Sequence, residues 1–326
     1  MLIGTYTRLG GEGVLLADCS ETGLTRLCSA KDLLNPTYII PTPDGRGFVT
    51  NGKSDALDRG YIAQYALEGD SFTLLAKAYI GRDGACHMAF SRDGRTLYTA
   101  NYHTGSISVL PIENGIVRDA TQVIDHVDVL GRDAHAHHVS ISPKDDALLC
   151  AVDLGCDSLF FYRRNGETGL LTRASRIKFQ TGMGPRHLCW ARAGERCYVV
   201  HELASKVSYL KNGRIVQTVS TLPEGYAGQS YCAAIRLSKD EKRLFATNRG
   251  HDSIAMFSLS ADGRARFVKT IPTYGAYPRD MVALDDGTFL CANQNSGSVT
   301  CVSPDGALLW KEDVAGAVCI CPIEAV

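Results

Sequence analysis

The sequence predicts an all-β chain folded as one seven-bladed β-propeller, closed by pairing of its N- and C-terminal strands. Three observations carry this. A unit of two or three strand-like runs with polar turns recurs six times. A polar residue closes the second run of each unit at intervals of 45 to 52 residues, the length of a four-stranded blade. Two incomplete runs remain at the ends, and pairing them makes a seventh blade and removes the exposed sheet edges. The 326 residues then divide into about 47 per blade.

In chain order, the N-terminal run GTYTRLGGEGVLLADC alternates as strands do and is read as half a blade. The six repeats follow: NPTYIIPTPDGRGFVTN, CHMAFSRDGRTLYTANYHTGSISVLPI, HHVSISPKDDALLCAVDLGCDSLFFY, RHLCWARAGERCYVVHELASKVSYL, AAIRLSKDEKRLFATNRGHDSIAMFSL and PRDMVALDDGTFLCANQNSGSVTCVSP. Their turns, such as Pro43-Asp44-Gly45 and Asp285-Asp286-Gly287, are hairpin formers rather than a site. The C-terminal run GALLWKEDVAGAVCICPI is read as the other half-blade. Helical periodicity is weak throughout, and Arg118–Val129 is the best candidate for an irregular or helical loop. One domain over residues 1–326 is expected.

Composition narrows the function. There are 34 basic and 35 acidic residues, for a net charge of −1. A nucleic-acid or membrane-surface binder would carry a basic surplus, so neither partner is expected. No run of about 18 apolar residues occurs that could span a membrane. The start lacks the basic and apolar regions of a signal peptide. The 12 cysteines are scattered, with no CxxC pair, and read as reduced thiols in a cytoplasm. Nothing specifies an oligomeric state.

A hairpin brings its two ends together, and the hairpins of a propeller converge on one mouth of the central channel. The strand starts are Asn35, His87, His137, Arg186, Cys232 and Arg279. The strand ends are Asn51, Asn101, Asp153, Glu202, Asn248 and Asn293. One blade thus pairs His137 with Asp153, the next pairs Arg186 with Glu202, and the following one adds Asn248 and Arg249. Arginines bind phosphate or carboxylate through a planar fork. They also stabilise a developing oxyanion. Glu202 or His137 can take a proton from water. With no GxSxG elbow and no convincing Ser or Cys triad, direct water attack is favoured over an acyl-enzyme. Glycine loops for phosphate or dinucleotide are absent.

Taken in order, GTYT, NPTYI, HAHHVSISP, GMGPRH, the Glu of VVHEL, TNRGHDS and YPRDM resemble the bacterial seven-bladed 6-phosphogluconolactonases. These form the lactonase family that also includes fungal carboxy-muconate lactonising enzymes. The likeness runs from Ile3 to about Val302. It implies a hydrolase that opens 6-phospho-D-glucono-1,5-lactone to 6-phosphogluconate in the pentose phosphate pathway. Carried over by motif, the catalytic residues are His137, Arg186 and Glu202. Arg249 and Arg279, with His187 or His251, would hold the anionic tail, beside Asp153 and Asn248. The implied partner is a small anionic sugar lactone. No cofactor is implied, and a divalent cation in the channel is left open. The turn PDG is AGE in the blade of Arg186 and KDD in the one before it. Alternation puts His135 and His137 on one face of HAHH and His138 on the other.

Two other readings compete. The column Asp153, Glu202, Asn248, Asn293 resembles the oxygen ligands of calcium-dependent gluconolactonase propellers, which would make the chain a metal-dependent lactonase. Another lactone-cyclising or sugar-lactone enzyme also fits. A non-catalytic binding propeller is the third class, since the fold alone decides nothing. Ionisable groups clustered at the mouth speak against it.

Overall fold

The computed structural model describes residues 1–54, 59–81, 84–126 and 133–323. They form seven antiparallel sheets arranged as a ring. Among the described residues there is no α-helix, only a 3-10 turn at Thr7–Leu9. No helix is long and apolar enough to cross a membrane.

The innermost strands are Ile39–Pro41, Ala85–Phe90, Ala136–Ile141, Pro185–Trp190, Tyr231–Leu237, Pro278–Ala283 and Ala317–Cys321. Each packs on the next and the last packs on the first, so they line a closed channel. The apolar core is correspondingly divided. Seven buried clusters lie one between each pair of neighbouring blades. Each central strand has its two faces buried against two different clusters, which is why these strands read as near-continuous apolar runs.

Closure differs from the equal split expected of the sequence. The N-terminal run supplies three strands, Leu2–Thr5, Val14–Ser20 and Gly23–Ala30. The C-terminal run supplies only the innermost, Ala317–Cys321. The stretch Leu308–Asp313 is instead the outer strand of the preceding blade. The apolar alternation of AVCIC is what lets it serve as an inner strand, with all five residues buried. Ile320 N–H is further held by the Asp280 carboxylate at 3.0 Å. Ending the chain before Ala317 should therefore remove on the order of 5–10 kcal/mol of burial, comparable to the whole stability of a domain. We expect loss of a cooperative urea transition; an unchanged midpoint would contradict this latch.

The expected loop at Arg118–Val129 also needs correction. Gln122–Asp125 is a strand on the edge of the third blade, paired to Ser106–Glu113. Its last residues, 127–129, lie outside the described ones. None of the 12 cysteines forms a disulfide. Trp310 packs in an inter-blade core, and Trp190 N–H reaches Ser140 Oγ at 3.0 Å.

Candidate functional site

In five blades the register of the inner strand slips near its start. A β-bulge there places one extra residue, or two, opposite its neighbour. The residues are Cys86, His137, Arg186, Ala233 with Ala234, and Arg279. A bulge breaks the two-residue alternation and re-aims a side chain. Here four of the five blades aim a chemically useful group at the channel mouth. Strand-start reasoning found three of these residues and was one residue off at the other two positions, His87 for Cys86 and Cys232 for Ala233.

The column of strand ends is likewise displaced in one blade. Asn101, Asp153, Asn248 and Asn293 pair with the residue before each bulge, and in the fifth blade that place belongs to His201. Glu202 stands one residue beyond the column. So does Arg249. The column turns into the blades, while the residues after it face the mouth.

The GMGPRH segment fixes Arg186. Gly182 and Gly184 N–H donate to the Asp157 carboxylate at 2.9 and 2.8 Å. Gly184 sits at φ 60, and a Cβ there would stand 2.5 Å from Leu203 Cγ. Glu202 N–H in turn donates to Gly184 C=O at 2.6 Å. The two chemical groups of this blade are thus tied to one turn.

Glu202 is shared by two guanidinium groups. Arg249 Nη2 lies 2.8 Å from its Oε2 and Arg186 Nε lies 3.0 Å from the same oxygen. The Arg186 contact is ionic only, because its N–H points off the carboxylate. Arg186 Nη1 donates to Ala233 C=O at 3.0 Å. The same nitrogen is 3.4 and 3.2 Å from the two ring nitrogens of His187, so it sits over the ring face. Burial, with Arg279 and Arg249 nearby, pushes the Arg186 guanidinium down to about 9. Arg249 gives Nη2 to Cys232 C=O and Nε to Tyr231 C=O. Two arginines thus share one carboxylate.

His137 lies beside Cys86, whose Sγ is 3.8 Å from its Nδ1, and edge-on to Tyr102. Burial, then Arg186 and Arg279, holds its imidazole well below the usual range, so it is neutral at pH 7. A cavity of about 460 Å³ opens above these groups and is lined by His137, Glu202, Arg249 and Arg279, with Tyr6, Arg8 and Tyr102 among its other walls.

His187 belongs to the floor rather than to the cavity wall. It joins His87 and His138, the residues that follow the bulges in adjacent blades. Ring nitrogens of the three lie within 4.8 Å of one another. Among the described residues this is the one grouping that could offer a metal three ligands. Burial, followed by neighbouring histidines and arginines, holds His87 and His187 well below the usual range. His138 is pushed down to about 3, by burial and then by Arg236 and Arg186. Those nearby guanidinium charges oppose a dication, so the three imidazoles fit a neutral floor better than a metal centre. His87 Nε2 meets Tyr38 Oη at 2.7 Å.

Of the expected site residues, Arg186 is not in the cavity lining and meets it through Glu202, His187 lies in the floor, and three more do not reach it. Asp153 is buried, bonded to His126 Nδ1 at 2.7 Å and to two backbone N–H groups. Burial opposes its charge, yet these bonds hold its carboxyl below the ordinary value. Asn248 is fully buried and bonded to Thr221 and Ser253. His251 Nδ1 contacts Ser253 Oγ at 2.7 Å, and its ring packs on Tyr226. The oxygen column weighed as a cation site is dispersed with them; Asn293 is held by Thr300. In HAHH, His135 stacks on Tyr102 and His137 meets the same ring edge-on at the mouth, while His138 points to the floor, the division that alternation gives.

A model of the lactonase family, described as a 7-bladed β-propeller, matches residues 1–314. A Bacillus subtilis (strain 168) protein named 6-phosphogluconolactonase is 29% identical over 320 residues, covering 93% of this chain and 90% of that one. An uncharacterised Lactococcus lactis subsp. cremoris protein is 33% identical, covering 94% and 95%. Among solved structures, a periplasmic gluconolactonase from Pseudomonas aeruginosa superposes with a TM-score of 0.89. It is 30% identical and covers 97% of this chain and 96% of its own.

Proposed function

The chain belongs to the seven-bladed β-propeller lactonase family, and from that premise we propose that it hydrolyses 6-phospho-D-glucono-1,5-lactone to 6-phosphogluconate. One observation carries the reading: two arginines pair with a single carboxylate at the mouth of the channel and Arg279 lines the same cavity, leaving an anion-seeking surplus beside a proton acceptor. The name of the Bacillus subtilis relative supports the phosphorylated substrate. The Pseudomonas aeruginosa structure favours a second reading, an unphosphorylated sugar lactone.

In the proposed mechanism, water attacks the lactone carbonyl carbon and Glu202 accepts its proton. Neutral His137 donates to the carbonyl oxygen, and Arg186 stabilises the charge developing there. The bond from that carbon to the ring oxygen then breaks. The proton held by Glu202 passes to the ring oxygen, leaving a hydroxyl and a carboxylic acid, which releases its remaining proton to solvent and becomes the carboxylate. Arg249 holds Glu202 aimed. No metal enters this scheme. The 12 cysteines, none of them in a disulfide, support a reducing, cytoplasmic setting, where the reaction would serve the pentose phosphate pathway.

The test is hydrolysis of freshly prepared 6-phosphogluconolactone, with and without EDTA, by wild type and Arg186→Ala. Turnover should be unaffected by EDTA and fall about 100-fold or more in the variant, as for loss of an oxyanion donor. Turnover abolished by EDTA would overturn the metal-free scheme. Turnover no faster than spontaneous opening would overturn the substrate.

A further inference from the structure

The arginines at the mouth are not equally available to a ligand. Arg186 and Arg249 are engaged with Glu202 and with backbone carbonyls. Arg279 makes a single long contact, Nη1 to Gln294 Oε1 at 3.4 Å. Its guanidinium lies 5.4 Å from the centre of the Tyr6 ring. Arg8 lies against the same ring at 4.5 Å. Among the described residues neither Arg8 nor Arg279 has a carboxylate partner. Arg8, Tyr6 and Arg279 all line the cavity.

Arg8 is exposed, yet the turn that carries it is held from three directions. Tyr6 N–H donates to Gly316 C=O at 2.8 Å, on the ring-closing segment. Leu9 and Gly11 N–H both return to Tyr6 C=O. The Asn35 side-chain oxygen accepts from Arg8 N–H and from the Thr7 hydroxyl, each at 3.3 Å. Asn35 adopts a left-handed φ of 48 to do so, a conformation Asn tolerates better than most residues. A pre-placed guanidinium loses little freedom when it takes up an anion.

We propose that Arg8 and Arg279, stacked about Tyr6, form the subsite for the substrate's distal dianionic group. Arg8 is then the residue that sets preference for a phosphorylated over an unphosphorylated sugar lactone. This rests on the lactonase reading and decides between its two substrate classes. The division of labour follows from bonding: Arg186 and Arg249 serve the carboxylate that handles water, while Arg8 and Arg279 keep open forks for a phosphate.

The test uses two readouts. Calorimetric titration with 6-phosphogluconate and with gluconate measures the value of the phosphate without turnover. Wild type should bind 6-phosphogluconate more tightly, and Arg8→Gln should shrink that advantage about 10–100-fold, the range of one or two charge-assisted bonds. Arg8→Lys should recover part of it. The ratio of kcat/KM for 6-phosphogluconolactone over glucono-1,5-lactone should collapse in parallel, chiefly through KM. An unchanged ratio and unchanged binding in Arg8→Gln would overturn the subsite. So would an equal loss for both ligands, which marks a structural role. If wild type opens neither lactone, the lactonase reading fails, and the two titrations still decide whether Arg8 holds the phosphate.

Discussion

Glu202→Gln should lower kcat/KM for 6-phosphogluconolactone by about 10²–10⁴, the contribution typical of a positioned general base. The substitution keeps the side chain's shape and its tether through Glu202 N–H to Gly184 C=O. It removes the proton acceptor, and it also removes the one negative charge facing Arg186 and Arg249. The two effects separate in the measurement. Loss of the base should appear in kcat. Loss of the charge should make the anionic product bind more tightly, so 6-phosphogluconate becomes a stronger inhibitor of the variant than of wild type. A purely structural Glu202 would instead lower the thermal midpoint and weaken product binding. A kcat within about twofold of wild type, in a folded variant, would exclude the base role.

The reach of the sequence is instructive at particular residues. The six repeats specify the blades because each central strand must be apolar on both faces. Arg186 was legible because GMGPRH is a stiff turn leading into a strand. Glu202 was found through a column to which it does not belong. The interval-counting that placed it there absorbed a one-residue slip, and His201 is the true member. The deeper cause is the bulge. It adds a residue to the inner strand but changes no composition and leaves no turn signal, so strand-start counting puts His87 where Cys86 stands. Asp153 and Asn248 were misplaced for a related reason: a polar residue at a strand end satisfies the hydrogen bonds of its own blade before it can serve a ligand. Arg8 escaped because it lies in the closing blade, which does not repeat. Its signal was a tyrosine and an arginine in a turn that joins two strands, and only the ring geometry brings them to the mouth.

Acidification should destabilise this protein earlier than its carboxylates would. The imidazoles of His87, His137 and His187 lie well below their ordinary value, and those of His138 and His201 are pushed down to about 3, burial being the leading cause in each. In the unfolded chain these groups titrate near 6.5. Between those limits the unfolded state binds more protons than the folded one. Stability is therefore full above about pH 7 and falls as pH drops through 6.5 towards the folded-state values. Each such histidine removes up to about 1.4 kcal/mol per pH unit. Five acting together would cost several kcal/mol by pH 5.5, a large share of the 5–15 kcal/mol typical of a domain. Urea unfolding at pH 7.5 and 5.5 should show a marked fall in midpoint with little change in slope. His138 tests the cause, because neither of its ring nitrogens has a protein partner and its ring packs on His87 and His187. His138→Phe should flatten the acid limb by about one proton per molecule while leaving the neutral-pH transition cooperative. A midpoint indifferent to pH over this interval would mean that the buried imidazoles take up protons in the folded state. The neutral floor beneath Glu202 and Arg186 would then become a charged one, and the case against a cation there would be stronger still.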